Sequence, residues 1–195
     1  MKSIKSLNRF DIVYFSLALL FALILLPRNL KSIGILIFGI SVILLNFNRK
    51  KHFNTRFFLL NATFFFGIIC TLLYTTNYDY AIRKLQTMSS LLVFPFLFSL
   101  FNLEDRQKIL KQKYFFLAIY IFSVFLFNCV VFSWFYLTHY SFSDLVYHFH
   151  RVVLVDIGKF GIHPIYLSMH CCLAILFSAS LFKTIQKKNL KIILV

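Results

Sequence analysis

Apolar residues fall in six long blocks: Phe10–Leu26, Leu30–Phe47, Phe57–Tyr74, Met88–Phe101, Tyr114–Tyr136 and Pro164–Phe182. Short polar stretches separate them. Most of these blocks approach the ~20 residues a helix needs to cross about 30 Å of hydrocarbon. Apolar positions come in runs rather than in alternation, which excludes a transmembrane β-barrel. The pattern predicts an all-α, polytopic integral membrane protein with about six transmembrane helices. The fourth block is short and carries Pro95 at its middle, so a kinked or partly inserted helix is expected there. A seventh apolar run begins at Leu190 and reaches Val195. It reads as the start of another helix, and residues 1–195 as a single transmembrane domain forming the N-terminal part of a larger polytopic protein.

Two polar stretches have a pattern of their own. Asn77 is placed to cap a short helix through Gln86, with Asp79 and Arg83 spaced i,i+4. Ala81, Ile82, Leu85 and Met88 share one side of it, which predicts a helix lying on the membrane surface. The loop 139–163 repeats the arrangement. Leu145, Val146, Phe149, Val152 and Val153 form an apolar stripe, and Asp144, His148 and Arg151 recur at i, i+4 and i+7 on another face. Gly158 and Gly161 then break the helix, and Pro164 suits the first turn of the next one.

Composition supports the lipid environment. The chain is 60% hydrophobic with 27 Phe, and only 14% of its residues are charged, against roughly 25% in soluble domains. A net charge of +15 would suggest nucleic acid in a soluble protein. Here the basic residues sit in clusters between apolar blocks, so no nucleic-acid partner is expected and the charge instead orients the chain. Fifteen of the 21 Lys and Arg residues lie on the side holding the N-terminus, Lys50, Lys108 and Lys187. Arg28, Lys31, Arg83, Lys84, Arg151 and Lys159 lie on the other. The N-terminus is therefore expected in the cytoplasm, with 139–163 an outward, periplasmic loop in an inner-membrane protein. No small-x-small cleavage site follows the first block, so it is read as a retained helix rather than a signal peptide. Cys70, Cys129, Cys171 and Cys172 all fall inside apolar blocks and read as small apolar fillers.

Candidate chemistry lies on the outward side. Arg83, Lys84 and Arg151 stand next to the two amphipathic stretches, where an anion-bearing headgroup would lie. An Arg fork donates two parallel hydrogen bonds to a phosphate, whereas Lys offers a point charge. The plainer reading is that Arg83 and Lys84 anchor an interfacial helix to ordinary lipid phosphates. His148, His150 and His163 are the right residue type for a base or a ligand. However, His148 and His150 fall on different helical faces and no carboxylate cluster joins them, so no metal is expected. Asp144 and Asp156 read as solvated loop residues. His170, about two turns into the last block, is expected to face the interior and to hydrogen-bond Asn128 or Asn61 on another helix.

The stretch LLYTTNYDYAIRKLQTMSSLLVFPFLFSL, Leu72–Leu100, resembles an outward loop and following helix of the O-antigen ligase and polymerase superfamily, especially its Bacteroidota-type members. In those proteins a tyrosine-containing loop, a basic pair and an LS-LL-FP helix recur. HPIYLSMH, His163–His170, is similar to the HPTYFS segment that opens a later helix in the same proteins. The resemblance implies transfer of an undecaprenyl-diphosphate-linked glycan to an acceptor glycan, either a lipid A-core sugar or a lipid-linked repeat. It implies no metal and no other cofactor, because the lipid diphosphate is itself the leaving group. Arg83, Lys84, Arg151 and His163 would bind that diphosphate. The large later loop that carries the catalytic His of the family has no counterpart within these residues, so the catalytic residues are not assigned. The rival expectation is a polytopic transporter, flippase or assembly subunit without chemistry of its own, which Pro95 and His170 support.

Overall fold

A computed structural model describes residues 9–47, 49, 53–138, 141–156, 158 and 161–193, and all regular structure among them is helical. The helices are α1 (Arg9–Ala22), α2 (Arg28–Asn46), α3 (Thr55–Cys70), α4 (Tyr78–Thr87), α5 (Ser90–Ser99), α6 (Leu103–Lys111), α7 (Lys113–Leu137), α8 (Leu145–Arg151) and α9 (Pro164–Ile193). Lys2, Lys5, Lys50, Lys51 and Lys159 lie outside the described residues. Among the described residues, four stretches are long and apolar enough to cross a membrane: Asn29–Asn46, Thr55–Leu73, Lys113–Leu137 and Pro164–Lys183. A fifth exists if Tyr78–Ser99 and Leu103–Lys111, bent by 109°, count together.

Three expectations differ in detail. The first apolar block forms a helix of only 14 residues, about 21 Å at 1.5 Å per residue. Pro27 lies just beyond it, and the chain tightens into a turn at Leu23–Leu26, where the amide of Leu26 bonds the Leu23 carbonyl at 3.0 Å. In the fourth block the sharp bend falls at residues 100–102, not at Pro95. Asn102 starts a new helix there by accepting the Asp105 amide at 2.7 Å. The seventh run is not a separate element, since α9 continues without a break to Ile193. Its segment TIQKKNLK contains neither Gly nor Pro, and Gln, Lys and Leu all favour helix.

By internal packing the chain, expected as one domain, divides into two compact units: residues 1–10 with 39–110, and residues 11–38 with 111–195. In the first unit α3 packs on α5. Phe58 meets Phe66 and Phe96 edge-on, and Phe53 also packs on Phe96. Asn54 caps α3 through the Phe57 amide, and its own amide bonds the Ser99 carbonyl at the end of α5. In the second unit α7 packs along α9. The buried side of α7 is Phe116, Tyr120, Val124, Phe127, Val131 and Phe135, one residue per turn. Leu25, Val153, Leu167 and Ala174 complete that core. The opposite sides of these helices stay apolar and exposed: Phe64 at 69%, Phe122 and Phe125 at 63%, and Ile175 at 68%.

Candidate functional site

Several polar groups of the second unit lie between its helices. On α7, Tyr120 is buried, and its hydroxyl lies 2.8 Å from Nδ1 of His170 on α9 and 3.4 Å from the His170 carbonyl oxygen. About two turns further along α7, Asn128 donates to Sγ of Cys171 at 3.4 Å and to the Val124 carbonyl at 2.8 Å. Ser123 donates to the carbonyl of Ala22, the last residue of α1, at 2.8 Å. The half-buried Lys31, in the first turn of α2, acts electrostatically on His170. His170 thus makes the expected bond between helices, but with a different partner. Asn128 is taken by the neighbouring Cys171, and Asn61 bonds the Phe57 carbonyl of its own helix at 2.8 Å. Tyrosine wins because its hydroxyl extends beyond the ring and reaches across the helix interface. Cys171 is likewise more than filler, whereas Cys70, Cys129 and Cys172 are exposed.

Arg83 and Lys84 stand side by side on α4 in the first unit, both exposed. The helix forms where the sequence places it: Asn77 caps it by accepting the Tyr80 amide at 3.0 Å. Ala81 and Leu85 are half-buried, as the amphipathic spacing requires. The Lys84 ammonium lies over the Tyr80 ring at 5.3 Å, while the i,i+4 spacing of Asp79 and Arg83 produces no ion pair. Arg83 is exposed, as are Tyr78 and Tyr80 on the same helix.

Arg151 and His163 belong to the second unit, at the two ends of one connection. Arg151 closes α8, in the last turn, where the helix dipole favours a cation. A single π-helical turn, Val152–Asp156, follows. The chain then doubles back at Gly158, in the left-handed region at φ 64°, and the Ile162 amide bonds the Val153 carbonyl at 2.9 Å. Gly161 comes so close to the π turn that a Cβ there would sit 2.4 Å from the Leu154 carbonyl oxygen. His163 is exposed and caps α9. Its carbonyl accepts from Tyr166 and Leu167, and its Nδ1 accepts from the Ile165 amide at 3.4 Å. That cap occupies Nδ1 and leaves Nε2 to face outward.

Phe149, Val152 and Val153 of the stripe on this loop pack against protein, where an interfacial face is expected. Val152 and Val153 are fully buried, and Phe149 stacks on Phe132 at 5.2 Å and meets Phe135 edge-on at 6.2 Å, both on α7. At the start of the loop, Asp144 accepts from the Ser141 hydroxyl at 2.7 Å and the Ser141 amide at 3.0 Å. These bonds, the hydroxyl first, hold its carboxyl below the usual carboxylate range, and His148 adds to the effect. Among the described residues no three His, Cys, Asp or Glu side chains come together to hold a metal ion.

Comparison with known proteins adds no relative. No protein-family model, curated protein or solved structure matches this chain. What the chain offers therefore rests on its own geometry: an exposed basic pair beside tyrosines, a glycine-hinged loop ending in a capped His, and a polar strip inside an apolar helix pair. Sequence reading missed Tyr120 in that strip. Its signal was the placement of Tyr120, Ser123 and Asn128 within two and a half turns of an otherwise apolar helix.

Proposed function

We propose that this chain is a multi-pass protein of the cytoplasmic membrane, with its N-terminus inside, and that it takes part in glycan transfer of the O-antigen ligase or polymerase type. The donor would be an undecaprenyl-diphosphate-linked oligosaccharide and the acceptor another glycan. The long apolar helices with apolar exposed faces support the membrane placement, as does the uneven distribution of Lys and Arg. The observation that carries the chemical part is α4. It carries Arg83 and Lys84 exposed, with Lys84 over the ring of the exposed Tyr80, on the stretch whose residues resemble the family. A guanidinium fork there suits the diphosphate of a lipid carrier, and charge-assisted hydrogen bonds are roughly twice as strong as neutral ones. As the glycosidic bond breaks, negative charge grows on the departing diphosphate, and a fixed cation stabilises it. In the second unit, Arg151 and His163 at the two ends of the glycine-hinged loop are the other candidates for a diphosphate headgroup.

The test uses membrane vesicles containing the protein, a lipid-diphosphate-linked oligosaccharide and an acceptor glycan. Arg83→Lys keeps the charge and loses the fork, so transfer should fall while insertion, followed by cysteine labelling at Asn77, is unchanged. Full transfer by both Arg83→Lys and Arg83→Ala would reduce Arg83 to a lipid anchor. The polar pair Tyr120–His170 inside an apolar unit favours a second reading, a transporter or flippase of the same lipid-linked glycan. Movement of the labelled donor across proteoliposomes, with no new glycosidic bond, would decide for it.

A further inference from the structure

One end of the first unit concentrates positive charge from four parts of the chain. Arg9 of α1 donates to the Leu44 carbonyl at 3.4 Å. Arg49, in the connection after α2, holds Asp105 at 2.7 Å. Arg56 is exposed in the first turn of α3. On α6, Arg106 lies over the Phe57 ring at 4.6 Å and donates to the Phe98 carbonyl at 3.4 Å. Lys108, also on α6, pairs with Glu104 at 2.6 Å and lies over the Phe10 ring at 5.5 Å. Glu104 and Asp105 on α6 are already in ion pairs, so among the described residues of this unit Arg9, Arg56 and Arg106 have no acidic partner. The N-termini of α3 and α6 open into the same place, and a helix start carries about half a positive charge of its own. Arg56 in the first turn of α3 therefore stands where a lone helix would disfavour it. Arg106 adds a buried Nε–H with no acceptor. An anion is what this arrangement lacks.

The surroundings decide which anion. Leu103 and Leu110 on α6 are 71% and 63% exposed, and Phe53, in the chain leading into α3, is also exposed. A soluble acidic peptide or a nucleic acid would leave these side chains in water. A phospholipid covers them with its acyl chains and places its phosphate at the level of the guanidinium groups. We infer that this end of the first unit is a binding surface for anionic phospholipid headgroups, held chiefly by Arg9, Arg56 and Arg106. The inference rests on the membrane placement proposed above and not on the glycan chemistry. It also goes beyond the charge rule for topology, which says where basic residues lie but not what they hold.

The experiment compares the purified protein in nanodiscs of phosphatidylcholine alone and with phosphatidylglycerol added, counting co-retained lipid by native mass spectrometry and following thermal unfolding. The wild type should retain phosphatidylglycerol selectively and unfold at a higher temperature in its presence. Each basic residue near an anionic surface contributes enough to change binding about fivefold, so Arg56→Gln and Arg9→Gln should each lower the selectivity by that factor. Both are exposed positions, so folding is spared, and Arg56→Lys should keep most of the selectivity. Equal retention of the two lipids, or unchanged selectivity in both Gln variants, overturns the inference. Equal stabilisation by inorganic phosphate in phosphatidylcholine discs replaces the lipid with a free anion and also overturns it. Failure to enter nanodiscs at all would overturn the membrane placement and this surface together.

Discussion

The hydrogen bond between Tyr120 and His170 can be measured as a coupling energy. Tyr120→Phe keeps the ring, and with it the edge contact to Phe177 at 5.7 Å, but removes the hydroxyl. His170 Nδ1 then faces a pocket where residue 120 is only 3% exposed, so little water can replace the hydroxyl. An unsatisfied buried polar group costs about 1–3 kcal/mol, and side-chain hydrogen bonds between helices in bilayers average about 0.6 kcal/mol, reaching about 1.7. His170 is half-buried rather than fully buried, which places Tyr120→Phe near the lower figure, about 1–1.5 kcal/mol. His170→Leu leaves the hydroxyl only the longer bond to the residue 170 carbonyl at 3.4 Å and should cost no more than that. The double variant leaves neither group unpaired and replaces a polar contact by an apolar one of similar volume. It should therefore cost about as much as either single change, giving a coupling of about 1 kcal/mol. Unfolding in mixed micelles with rising dodecyl sulfate can be followed by Trp134, the single tryptophan, which lies on α7 itself. Additivity of the two changes to within about 0.3 kcal/mol would show that the bond does not hold α7 to α9.

Other changes have unequal expected outcomes. Arg49→Ala should destabilise by about 3 kcal/mol, because it strands the carboxylate of Asp105, whose side chain is 2% exposed. Asp105→Asn should cost about 1 kcal/mol, because the Arg49 side chain, 38% exposed, can turn to water; the reverse order in the same unfolding assay would contradict the ion-pair account. Gly161→Ala should loosen the 152–163 connection by about 1–3 kcal/mol through its clash with the Leu154 carbonyl, more than Gly158→Ala, which meets open space and only the strain of a left-handed residue. Limited proteolysis of that connection ranks the two, and equal sensitivity would refute the packing. For Asp144, whose carboxyl is lowered by Ser141, the turn is stable above the ordinary carboxylate pKa of ~3.9 and loosens only as pH falls through the lowered value. Between pH 5 and 8 no change is expected, and Ser141→Ala should bring the carboxyl back toward its ordinary range in a ¹³C-carboxyl titration.

Local chemistry was the most legible part of the chain. The Asn77 cap, the break at Gly158 and Gly161 and the start at Pro164 all follow from residues whose backbone preferences act within a turn or two. Which side of α7 packs was not legible, because that helix is apolar all round and hydropathy marks no face. Its polar residues give the answer instead. For the same reason the partner of His170 was misread: asparagine is the conspicuous donor in an apolar run, and tyrosine passes for an aromatic filler. The lysines after Phe182 suggested a loop, yet charge alone does not end a helix that lacks Gly and Pro. For the candidate site, Arg83 and Lys84 could be placed because Asn77 fixes their helix. The burial of Phe149, Val152 and Val153 could not, since an apolar stripe looks the same whether lipid or another helix covers it.

The bond from Ser123 to the Ala22 carbonyl joins residues 101 positions apart, and that separation sets an order of assembly. The C-terminal end of α1 is completed by a hydroxyl on α7, which the ribosome has not yet made when α1 emerges. At about 5–20 residues per second, α1 waits roughly 5–20 seconds for its partner. On the membrane placement proposed above, the open carbonyl would meanwhile be met by water or by the insertion machinery, a reason for so short a helix to stay near the bilayer edge. Topology at the N-terminus would then be provisional until α7 arrives. A Ser123→Ala change should act on early biogenesis, leaving a larger share of chains with α1 accessible from outside the bilayer.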